Sequence, residues 1–174
     1  LLINLATDSL PAVALGVDPA SPNVMKHKPV KSGTLFEKGM IYRIALHGLF
    51  ISAAAWAAYL IGTYCFEHDH VQAMTMTFIV LSVSQLSHAL NQRSNTESIF
   101  KPGQGHNKFL ALALVVSAAI VALVVFVPPL QGFFNLTNLT WQEWLGSLAL
   151  SLFPLVAVEI SKVFIRLSKR RRRA

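Results

Sequence analysis

Cysteine occurs once in 174 residues, which excludes a disulfide framework and argues against a cysteine-built zinc or iron–sulfur site. Charge is also scarce: 13% of residues are Asp, Glu, Lys or Arg, against about 25% in soluble domains. No stretch alternates apolar and polar residues with period two, which argues against strands and a barrel. Internal repeats and Gly-rich phosphate loops are absent as well. What remains is 53% apolar, with a mean hydropathy of +0.51. Lys and Arg number 15 against 8 Asp and Glu. A net charge of +7 would suit nucleic acid, but these basic residues flank apolar runs of membrane length.

A helix rises 1.5 Å per residue, so about 20 apolar residues cross a hydrocarbon core of about 30 Å. Four segments meet that length: 44–64, 71–90, 108–130 and 144–165. A fifth, 1–17, is short and interrupted by Asp8, Pro11 and Gly16, and reads as the second part of a span whose beginning is missing. With no initiator Met, the expectation is a processed N-terminus or a piece of a longer chain. The predicted fold is all-α, a polytopic bundle of about five spans forming one membrane domain over 1–174.

All fifteen basic residues fall in three regions: Lys26 to Arg43, Arg93 to Lys108, and Lys162 to Arg173. The opposite loops carry Glu67, Asp69 and Glu143 and no cation. The positive-inside rule therefore predicts a cytoplasmic C-terminus, with the basic tail at 166–174 anchored to anionic headgroups rather than to nucleic acid. Trp141 and Trp144 suit the outer interface. Ala54, Ala58 and Gly62 recur every four residues and offer one small-residue face to a neighbouring helix.

Asp8 is the residue with chemistry in it, because a carboxylate inside a membrane segment is costly unless paired, hydrated or bound to a cation. Asn4 and Asp8 share a face in a helix, with Thr7 beside them. An amide oxygen, a hydroxyl and a carboxylate are hard ligands suited to calcium, magnesium or an alkali ion. Pro11 removes a backbone donor and frees a carbonyl in the preceding turn, as interrupted helices do at transporter ion sites. The competing reading is an aspartate solvated at a span end. Among the other polar groups, Glu67-His68-Asp69-His70 reads as a solvated loop, His47 and His88 as partners of neighbouring helices, and Glu159–Lys162 as a local ion pair. Two sequons, at Asn135 and Asn138, lie close to the membrane and are discounted.

The run Asn4-Leu5-Ala6-Thr7-Asp8-Ser9-Leu10-Pro11-Ala12 resembles the sixth transmembrane helix of P-type calcium-transporting ATPases. The likeness continues through Ala73-Met74-Thr75-Met76-Thr77 and His88-Ala89-Leu90-Asn91 to Glu159-Ile160, Lys162 and Phe164, so the chain resembles helices six to ten of such a pump. The resemblance implies Asp8 as the carboxylate shared between ion sites, with Asn4 and Thr7 as oxygen donors. It sets Gln85 where two-site pumps carry a glutamate, making Gln85 a weak ligand or a spectator. The plasma-membrane type of calcium pump also has Gln there, which implies one transported Ca2+ per cycle. No D-K-T-G-T string occurs, so ATP and Mg2+ would be used in upstream domains of the parent chain and this segment alone would hydrolyse nothing. The implied partners are the bilayer and the parent's upstream helices and cytoplasmic domains. The implied setting is a plasma or bacterial cytoplasmic membrane rather than an internal one. A pump for sodium or another cation and a self-contained five-span scaffold or binding protein are the alternatives.

Overall fold

The computed structural model describes residues 3–18, 39–65, 70–93 and 107–171, all of it helix and short connections. The chain begins with a π-helical segment, Ile3–Ser9, that runs into α1, Leu10–Gly16. Then come α2 (Met40–Tyr64), α3 (His70–Gln92), α4 (Lys108–Phe126), α5 (Pro128–Phe134) and α6 (Trp141–Arg171). Four of these, α2, α3, α4 and the 141–165 part of α6, are long and apolar enough to cross a membrane. The all-α polytopic bundle expected from composition is what the chain forms. The loop at 26–38, the acidic and histidine residues at 67–69, and the tail side chains lie outside the described residues.

Helix α3 is the centre. Ten of its residues are buried, against three of α2. Lipid supplies no hydrophobic drive between helices, so shape and internal hydrogen bonds must hold them. The small face of α2 supplies shape: its buried residues are Ala54, Ala58 and Gly62. Ala54 and Ala58 cluster with Val80 of α3. At Gly62 a Cβ would come within 2.8 Å of the Ala73 Cα, so the two backbones touch there.

On the other side of α3, hydrogen bonds join it to α6. Ser84 donates to the Ser151 carbonyl at 3.3 Å, and Asn91 Nδ2 donates to the Leu155 carbonyl at 3.4 Å. The ion pair expected within α6 is present, with Lys162 Nζ 2.9 Å from Glu159 Oε1. It also reaches beyond its own helix, since the same ammonium donates to the Asn91 carbonyl at 3.1 Å and to Asn91 Oδ1 at 3.3 Å. A buried cation is tolerated when its donors are spent in this way.

Helix α4 stops earlier than the apolar run suggests. The run extends to residue 130, but Val127 turns extended and Pro128-Pro129 starts the separate α5. Proline lacks the N–H that would continue the α4 ladder and biases the residue before it away from helix. The 19 residues of α4 still reach about 28 Å. Beyond α5, Asn135 adopts the left-handed conformation, and the return segment packs on α3 through Thr137 N donating to Thr75 Oγ1 at 3.1 Å. Trp144 stacks on Phe126 at a centroid distance of 5.3 Å, while Trp141 is exposed.

Helix α6 opens with a reciprocal cap. Thr140 N and Thr140 Oγ1 donate to Glu143 Oε2 at 2.6 and 2.8 Å, and Glu143 N points back to Thr140 Oγ1 at 3.5 Å.

Enlarging the α2–α3 contact tests its role. Gly62→Leu should force the two helices apart and lower the thermal midpoint of the detergent-solubilised protein, by about 1–3 kcal/mol of stability. Gly48→Leu, at a position with open space around it, should leave the midpoint unchanged.

Candidate cation site

The site begins with Pro11. In α geometry the Thr7 carbonyl would meet the proline ring and lose its N–H partner. The chain instead widens into i→i+5 bonding over Ile3–Ser9 and returns to α geometry at Leu10. Such wide turns are rare and cluster at functional sites. The α-helical face expected for Asn4, Thr7 and Asp8 is therefore replaced by a wider turn, which spreads these residues around the axis differently. Pro11 itself is buried.

Thr7 is 1% exposed and its hydroxyl donates to Gln85 Oε1 of α3 at 2.8 Å. The two residues, 78 apart in sequence, are thus brought into direct contact. Asp8 is exposed on the surface of the described bundle. Thr7, Asp8 and Gln85 line one open cleft of about 180 Å³ between the first helical segments and α3. His88 and Gln92 complete its α3 wall, with His88 Nε2 2.9 Å from Gln92 Nε2. The backbone of Asn4 belongs to the π-helical segment, and its side chain lies outside the described residues.

Behind the cleft, His88 meets His47 of α2 edge to face at 5.0 Å, the interhelical role expected of both. At the other end of α3, His70 Nδ1 lies 3.0 Å from the Tyr59 hydroxyl. Among the described residues no three His, Cys, Asp or Glu side chains come together as a metal site. A cation here would rest on one carboxylate and neutral oxygens, which suits hard, oxygen-seeking ions.

The C-terminal end of α1 is held by a second cluster that sequence reasoning overlooked. Asp18 accepts from Arg93 Nε at 3.2 and 3.3 Å and pairs with Arg93 Nη2 at 3.1 Å. Asn107 donates to Asp18 Oδ1 at 2.8 Å and to the Ala14 carbonyl at 2.9 Å. Its own Oδ1 caps α4 by accepting from Leu110 N at 2.9 Å. One node thus fixes the ends of α1, α3 and α4. The sequence signal was there, in an Asn immediately before an apolar run, but its partners are 75 and 89 residues from Asp18.

Comparison with known proteins gives this geometry its context. The chain is 36% identical to calcium-transporting ATPase 1 of Bacillus cereus, over 94% of this chain and 20% of that protein. It is 33% identical to a calcium-transporting ATPase of Bacillus subtilis, over 88% of the chain and 17% of the relative. A third, the endoplasmic reticulum-type calcium-transporting ATPase 3 of Arabidopsis thaliana, is 30% identical over 91% of the chain and 19% of that protein. The chain therefore spans about a fifth of the length of these relatives. The family described as cation transporting ATPase, C-terminus, matches residues 1–164, and the chain belongs to that family.

Proposed function

We propose that this chain is the C-terminal membrane region of a P-type pump that moves calcium out of the cytoplasm, and that Asp8, Thr7, Asn4 and, weakly, Gln85 supply its part of the ion site. The observation that carries the reading is the Thr7–Gln85 contact beside Asp8, at the widened turn that Pro11 imposes. A hydroxyl that donates its proton keeps lone pairs for a cation, and Gln85 Oε1 retains a second lone pair. Calcium-transporting relatives support the choice of ion.

Asp8 faces outward on this chain because, in the proposed parent, upstream helices close the site from that side and add ligands. The parent's upstream domains would hold ATP and Mg2+ and undergo phosphorylation. This segment would contribute ligands and scaffold, and the loop at 26–38 would carry part of the coupling from the cytoplasmic side. The C-terminus faces the cytoplasm in this reading, with the basic residues on the inner side of a plasma or bacterial cytoplasmic membrane.

With Gln in place of a carboxylate at position 85, the site carries less negative charge than two divalent cations need in a low-dielectric interior. One calcium per cycle follows. Equilibrium binding of radioactive calcium to the full-length parent should give one ion per phosphorylation site, and a stoichiometry of two would sink the single-ion reading.

Uptake tests the site itself. Sealed vesicles containing the full-length parent should accumulate calcium on addition of ATP, and Asp8→Asn should reduce that uptake to the level without ATP. An ATPase stimulated by sodium, with no calcium uptake, would keep the pump and reject the ion. Normal uptake by Asp8→Asn would remove Asp8 from the ion path.

A further inference from the structure

A second cleft opens between the start of α2, the end of α3 and the end of the apolar part of α6. It holds about 210 Å³ and is lined by Gly39, Tyr42, Arg43, His47, Asn91 and Lys162, with Leu46 and Ile165 extending it as apolar surface. Nothing in the calcium reading uses it. Arg43 stands in the first turn of one membrane-length helix and Lys162 close to the end of another apolar span, 141–165. The cleft therefore lies at headgroup depth, at one membrane edge.

Its electrostatics are positive. The three donors of Lys162 are committed to the Asn91 carbonyl, Asn91 Oδ1 and Glu159, so it contributes charge that Glu159 balances in part. Arg43 brings the planar guanidinium fork that matches a phosphate. The amide end of α2 adds to this, since Gly39 precedes it in the left-handed conformation and provides no side-chain cap. At the rim, Leu46 and Ile165 supply apolar surface, the kind that acyl chains cover.

We propose that this cleft binds the phosphate of an anionic phospholipid, with Arg43 as the principal contact and the acyl chains along α2 and α6. Charge selects the headgroup, while the apolar rim selects a lipid over free phosphate.

The test uses the full-length parent in mild detergent, offered phosphatidylglycerol and phosphatidylcholine in equal amounts and examined by native mass spectrometry. Phosphatidylglycerol should be retained about fivefold better, and Arg43→Gln should abolish most of that preference while leaving phosphatidylcholine retention unchanged. A phosphatidylglycerol carrying a photoreactive group near its headgroup should label peptides within 39–47 and 161–165, a measurement that needs no variant. Equal retention of both lipids, an unchanged preference in Arg43→Gln, or labelling confined to other helices would overturn the proposal. So would displacement of the bound lipid by millimolar inorganic phosphate, which would assign the cleft to the free anion. Neither calcium nor ATP enters the measurement, so a pump for a different ion would leave its outcome intact.

Discussion

Inside a bilayer, helices gain nothing from leaving lipid for one another except close contact and satisfied polar groups. Helix α3 supplies both, on different faces. Toward α2 it presents Ala73 to Gly62 at backbone contact, where no side chain fits. Toward α6 it offers Ser84 and Asn91, whose side chains reach main-chain carbonyls of the facing helix. Toward the first segment it extends Gln85 to Thr7. The candidate cation cleft is thus one wall of the same helix that organises the bundle. Its position depends on α3 being gripped from two other sides.

The buried ammonium of Lys162 shows how a polar group becomes structural in this setting. Removed from water, it is held by three acceptors from two helices, two of them on Asn91. Because Asn91 also donates to the Leu155 carbonyl, the end of α3 is fixed to α6 above and below one residue. Lysine in this position is part of the packing as much as part of the charge pattern.

The membrane-length helices were legible from length and hydropathy alone, because a spanning segment must satisfy its backbone within itself. The small face of α2 was equally legible from the spacing of Ala54, Ala58 and Gly62. What escaped were features decided by partners far away in the chain. The Asp18–Arg93–Asn107 node joins three helix ends, and no local pattern announces it. The Thr140–Glu143 cap had a recognisable T-x-x-E signature, yet Glu143 reads from charge alone as a loop acid. At the candidate site, Thr7, Asp8 and Gln85 were singled out by residue type and resemblance. Pro11 marked a disturbance, but its form, a widened turn rather than a break, depends on how the chain relieves the clash at Thr7. The break at Val127 likewise needed the two prolines to outweigh a continuous apolar run.

The node at Asp18 has a mechanical consequence for the segment before it. A π-helix climbs less per residue than an α-helix, so tightening Ile3–Ser9 into α geometry would lengthen it along its axis. With the far end of α1 pinned to α3 and α4, that added length has only one direction to go. The anchored end would stay still and the lengthening would be taken up toward Ile3, carrying Asn4 farthest and Thr7 and Asp8, next to the anchored α1, least.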